Sequence, residues 1–389
     1  MPATDYQGSF LGRISIRRNQ VWSMEGNHEH EIEDLEFFQK HVADRFSVLL
    51  SSQTSDEIPT DPLLSISWLR KLLDTFLCCE AEFKAILMMG RDTSQILKPP
   101  LDRLIPELLE RTVKALDICN AITNGIESVR HYQKFAEIAV TALKIRPIGD
   151  GQVKRARRAL NSLVTAMTTE DKDGNNYTRT WSFGRRGSAS GNNKVTGQLR
   201  SLSWSVAKNW SAARQLHAMT TNLVAPRGGE TLGLALPVYV MSSVMLFVMW
   251  AMVAAIPCQE RSGLATHFPV PKQFAWAHSM ISLHEKISEE WKKKEKKGSA
   301  GLLAEMQKME KLGQSLIDFA DSFQFPAEDE KVEEVATQVA ELAETCRKME
   351  EGLGPLQLQI REVFHRIVRS RAEILDLLEA TGKLSAPIM

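Results

Sequence analysis

The residues best able to do chemistry in this chain are few, and their spacing is wrong for most of it. His28-Glu-His30-Glu31 places ligand-type side chains together. His at i and i+2 point apart on a helix, though, and a zinc-protease pair needs i and i+4 on one face. The quartet reads as a solvated helix start. Asp171-Lys-Asp173-Gly174 looks like part of a calcium loop. Its register puts Thr169 at the first ligand and Thr180 where a bidentate Glu is required, so the loop is rejected. No Gly-x-x-x-x-Gly-Lys-Ser/Thr loop and no Gly-x-Gly-x-x-Gly opens a helix after a strand. The expectation is a chain with no catalytic residues, no metal and no cofactor.

Charge offers more. Lys plus Arg equals Asp plus Glu over the whole chain, 48 of each, which removes any global attraction to nucleic acid. The distribution is uneven. Residues Glu25 to Glu82 hold 13 acids against 4 bases, Lys144 to Arg214 hold 14 bases against 4 acids, and Glu285 to Glu351 hold 17 acids against 11 bases. A basic block between acidic ones either neutralises them within one fold or meets an acidic lipid or protein. The densest cations are Lys154, Arg155, Arg157 and Arg158, opposite the apolar side Val153, Leu160, Val164 and Met167 of one helical repeat. They are the candidate partner or lipid surface. Arg185-Arg-Gly-Ser188-Ala-Ser190 matches what basophilic kinases prefer, and phosphate on Ser188 or Ser190 would cut the local positive field. Trp181, Trp204 and Trp210 interleave with Arg179, Arg200, Lys208 and Arg214. They form either an interfacial or nucleic-acid surface or, the favoured reading, core positions beside a solvated basic face. No nucleic-acid partner is expected.

The elements that must carry these residues are helices. Strand alternation is nearly absent, whereas Ile32, Leu35, Phe38, Val42, Phe46 and Leu49 step by three and four along one helix face. Asn27 is a plausible N-cap for that helix. Further helices are expected from Asp61-Pro62 to Met89, from Leu101 to Asn124, from Gly125 or Ile126 to Ile145, and from Gly149 to Met167. Others follow over 198–223, 272–297, 302–323, 328–350 and 356–378, with Gly352-Leu-Gly-Pro355 breaking the last pair. Val332, Val335, Val339, Leu342 and Cys346 form a heptad-like seam, for packing within the bundle or against a second copy. Residues 168–197 are rich in Gly, Ser, Asn, Asp and Arg and read as a disordered or long surface loop.

One segment stands apart. Thr231 to Cys258 is 28 residues without a charge. A helix here would carry Leu232, Leu236, Val240, Val244, Phe247, Trp250, Val253 and Ile256 as apolar positions. About 20 apolar residues suffice to cross a bilayer. Three arrangements fit: a single transmembrane helix, a fully buried central helix of the bundle, and a helix that leaves the bundle for a bilayer on demand. Spanning would part the oppositely charged halves. Met241, Met245, Met249 and Met252 share one face, as gap-filling core side chains do. The fold class expected is therefore all-α, an elongated multi-helix bundle with one very apolar central helix that is also a candidate transmembrane segment.

Cys78, Cys79, Cys119, Cys258 and Cys346 are odd in number and scattered, which suits buried thiols in a reducing compartment. Arg13, Arg17 and Arg18 interrupt any apolar leader in the first 20 residues, and Pro2 stands where myristoylation needs glycine. The regions expected are a flexible basic segment 1–26, helical 27–167, the loop 168–197, helix plus apolar run 198–258, and helical 259–389 packing on the first helical region.

The two ends of the chain carry a resemblance. Met1-Pro-Ala-Thr-Asp-Tyr-Gln-Gly-Ser-Phe-Leu-Gly-Arg-Ile-Ser-Ile-Arg-Arg18, Leu35-Glu-Phe-Phe-Gln-Lys-His-Val-Ala-Asp-Arg-Phe46 and Val363-Phe-His-Arg-Ile-Val-Arg-Ser-Arg-Ala-Glu-Ile-Leu-Asp-Leu-Leu378 resemble the plant Roh proteins of the BYPASS-related family. The apolar run falls where that family carries its predicted membrane segment. The resemblance implies a non-enzymatic plant protein of the cytosol and plasma membrane, either single-pass or peripheral. It implies binding to an exocyst subunit of the Exo-seventy class and a role in polarised secretion, including seed-coat mucilage. The runner-up it implies is restraint of a root-derived mobile signal controlling shoot development, as in BYPASS members. No site residues carry over.

Overall fold

The computed structural model describes residues 24–51, 61–88, 96–168, 210–228, 233–258, 263–295, 301–324 and 329–384. Among these there are helices and turns and no strand. The helices are α1 (Met24–Ser51), α2 (Ile66–Met88), α3 (Leu101–Leu143), α4 (Asp150–Thr168), α5 (Ala212–Thr220), α6 (Ala235–Ala255), α7 (His278–Glu295), α8 (Ala304–Ser322) and α9 (Asp329–Leu384). A short 3-10 turn, Ala275–Ala277, precedes α7. At 1.5 Å per residue the 56 residues of α9 extend about 80 Å, which makes the bundle elongated.

The apolar run is the hub. α6 packs against α1, α2, α3, α5 and α7. Every residue of its most apolar 18-residue stretch is buried, although the helix is long and apolar enough to cross a bilayer. This is the buried-central-helix arrangement. Phe46 of α1 meets Phe247 edge-on at 5.5 Å, and the Cys119 thiol lies 4.0 Å from Met249 Sδ. All the Met side chains at 241, 245, 249 and 252 are buried. Val-rich α6 has weak helical propensity of its own, so packing rather than local preference holds it. Its terminal carbonyls need partners. Leu302 N–H donates to Ala254 O (3.0 Å), and Leu303 N–H donates to Ala255 O (3.1 Å).

Several expected boundaries are overturned. Gly125 does not separate two helices; α3 runs through it to Leu143. Gly352-Leu-Gly-Pro355 does not break α9 either. At Gly352 a Cβ would sit 2.8 Å from Ile66 Cγ2, so glycine there permits close contact with α2. α1 begins at Met24, before Asn27. α2 begins at Ile66 rather than at Pro62. Ser65 Oγ accepts from Trp68 N–H (3.2 Å), which is the real cap. Leu64 adopts a left-handed φ of 59° just before it. The helix expected to start at 272 is a turn and then α7. The seam Val335, Val339, Leu342 and Cys346 is buried within this bundle, so it is not an exposed dimer surface.

A second cap on α2 comes from far along the chain. Ile66 N–H donates to both carboxylate oxygens of Glu305, at 3.1 and 3.3 Å. Burial pushes the Glu305 carboxyl up, and the Ile66 amide offsets part of that. Glu305→Ala should lower stability by about 1–2 kcal/mol, and Glu305→Gln, which keeps an acceptor, by less. Urea titration of both variants checks the order.

Candidate partner-binding surface

α4 shows why the basic cluster is exposed. Val153, Ala156, Ala159, Leu160, Leu163 and Met167 form its buried side, packed on α3 and α8. The 3.6-residue period leaves Lys154, Arg155, Arg157 and Arg158 on the outside, all exposed. Lys154 pairs with Asp150 one turn back (2.5 Å). Arg157 Nε reaches Asp321 of α8 (2.6 Å), so one cation of the basic block is matched by the third charge block. Arg155 and Arg158 carry no ion pair among the described residues. The turn before α4 adds Lys144, Ile145 and Arg146, all exposed. The result is a cationic ridge fixed on a rigid scaffold. A planar guanidinium without a partner suits bidentate contact with carboxylate or phosphate.

The other expected positions divide. Val240, Val244, Phe247, Trp250, Val253 and Ile256 are buried in the core, and Leu236 is half-buried. Leu232, Ser188 and Ser190 lie outside the described residues, as do Trp181 and Trp204. Trp210 is partly buried against the core. Cys79, Cys119 and Cys346 are buried, and burial pushes their thiols up to about 12. Among the described residues no three His, Cys, Asp or Glu side chains gather as a metal site.

Sequence reasoning missed the buried charges of α2. Glu82 accepts from Arg45 Nη1 (3.1 Å) and Nη2 and pairs with His41 Nδ1 (3.3 Å), which pins α1 to α2. Glu80 meets Ser370 and Arg366 Nη1 (3.4 Å) of α9, and burial pushes its carboxyl up against their pull. Gln359 Nε2 donates to Arg70 O (2.9 Å), and Lys84 pairs with Glu373 (2.5 Å). These pins fix helix pairing. Nothing local marks them, since Glu80 and Glu82 look like ordinary surface acids until a partner helix covers them. A cavity of about 30 Å³ lies beside them, floored by Phe76, Phe83, Met241 and Met245. That is room for roughly one or two waters.

The chain matches the family model described as "Protein ROH1-like" over residues 1–378. It is 62% identical to "Protein ROH1A" of Arabidopsis thaliana, covering 100% of both chains. It is 45% identical to "Protein ROH1D" of the same plant, over 97% of this chain and 98% of the relative. No solved structure matches. With the match running across nearly the whole sequence, this chain belongs to the ROH1-like family.

Proposed function

We propose that the protein is a non-enzymatic adaptor of exocyst-dependent polarised secretion in plants, including seed-coat mucilage deposition. It acts by binding an Exo-seventy-class exocyst subunit at the cytosolic face of the plasma membrane. The observation that carries the reading is the α4 ridge, where Arg155 and Arg158 face outward with no ion pair among the described residues. An acidic protein surface supplies what that ridge lacks, and acidic membrane lipid would satisfy the same chemistry.

The test is direct binding of the full-length chain to a purified Exo-seventy-class subunit at ~50 and ~300 mM salt, with acidic-lipid vesicles as a separate arm. Affinity should fall with salt, and Arg155→Glu with Arg158→Glu should weaken it by roughly tenfold or more. Wild-type binding left unchanged by both substitutions would remove α4 from the interface. No subunit binding by folded chain would favour the signal-restraint role instead.

A further inference from the structure

We propose that the outer face shared by α3 and α9 is a self-association surface, covered in solution by a second copy of this chain. The inference is independent of the secretory reading. α3 and α9 run antiparallel. Arg371 Nη1 donates to Leu109 O (2.5 Å) and Thr112 Oγ1 (3.3 Å), and about four turns back along the face Gln357 Nε2 donates to Glu127 Oε1 (3.2 Å). This register sets Val113 and Leu116 of α3 alongside Phe364 and Val368 of α9. The face is apolar where water should be: Val113 and Val368 are each 42% exposed and Leu375 38%.

Its charge is asymmetric. On α9, Leu358, Arg361, His365, Val368, Ala372 and Leu375 step by three and four along the outside, a spacing that suits helix-on-helix packing. Arg361 and Arg369 have no ion pair among the described residues. On α3, at the level of His365, stands Asp117. Its carboxyl is partly buried and pushed up by that burial with no opposing charge to hold it down. An occupant must therefore be apolar along its centre, basic where α3 is acidic and acidic where α9 is basic. The face turned over about a two-fold axis parallel to the helices has that pattern. It lays α3 of one copy on α9 of the other, antiparallel, and brings Asp117 toward Arg361 and His365 of the second copy. A two-fold axis makes the contact twice, which is how a modest patch becomes a closed dimer. A two-fold axis across the helices would instead oppose like charges.

Sedimentation of the full-length chain from about 1 to 50 µM is the test. A monomer–dimer equilibrium is expected. Val368→Asp, at an exposed position, and Asp117→Arg, at a half-buried one on the outer face, should each weaken it by roughly tenfold or more while leaving helical content unchanged. Asp117→Arg combined with Arg361→Asp should recover it. A monomer throughout, or a dimer indifferent to both single substitutions, would overturn the proposal. Loss in the single variants without recovery in the double would overturn the acid-to-base pairing.

Discussion

Gly125→Ala is expected to destabilise the protein by ~3 kcal/mol or more, the upper end for overpacking a buried site. The direction runs against local preference, because alanine in a helix interior is normally better than glycine by about 0.5–1 kcal/mol. At Gly125, α3 crosses the end of α6. A Cβ there would lie 2.1 Å from the Pro257 carbonyl oxygen and 2.8 Å from Ile256 Cγ2. The oxygen belongs to backbone, so no rotamer change relieves the clash. That backbone cannot drift freely either, since Ala254 and Ala255 are held through their carbonyls by Leu302 and Leu303. Relief would require moving α3 off α6, and α6 touches most of the fold. Gly354→Ala is the matched control. Nothing lies within 4 Å of a Cβ there, so it should be neutral or gain up to about 1 kcal/mol. Denaturant midpoints of the two variants decide it. Equal stabilities would mean that α3 and α6 do not meet this closely.

Acid should weaken the hold of α7 on α6 through His284. This ring is buried, 4.0 Å from Trp250 and stacked on Phe268 at 5.1 Å, with Ser288 Oγ at 3.3 Å from Nδ1. Burial pushes its pKa down to about 4. His267 and Lys292 push the same way, and Glu285 opposes them. Unfolded, the imidazole would titrate near 6.5. The unfolded chain therefore binds the proton first. The cost to the folded state is absent above about pH 6.5, grows as pH falls through that window, and is complete below about 4. Each pKa unit is worth about 1.4 kcal/mol, so the loss between pH 7 and 4.5 is roughly 2–3 kcal/mol. Buried Glu80 and Glu305, whose carboxyls are pushed up, drive stability the opposite way over the same range. The readout is therefore a difference between proteins. His284→Phe keeps the ring stack and cannot protonate, so its stability should fall by that much less on acidification. Parallel pH profiles for the two proteins would mean that the ring is already solvated.

The helices that present the α4 ridge were legible because their cause is local. The spacing of Val153, Leu160 and Met167 against Lys154, Arg155, Arg157 and Arg158 fixes which side of α4 is wet, whatever it packs on. The same holds for α8 and for the all-helical class, since turns, caps and a 3.6-residue period act over a few residues. The unreadable features depend on segments far apart in the chain. Gly125 and Gly352 look like breaks in sequence and are contacts in space, with Ile256–Pro257 and with Ile66. Glu80, Glu82 and Glu305 look like surface acids, and each is committed to a partner element. Residues Thr231 to Cys258 by themselves determined only that this stretch must leave water. Hydrocarbon and a protein core are equally dry, so composition cannot choose between them. Only the tertiary structure shows what surrounds it, since α6 lies against α1, α2, α3, α5 and α7, elements far apart in the chain.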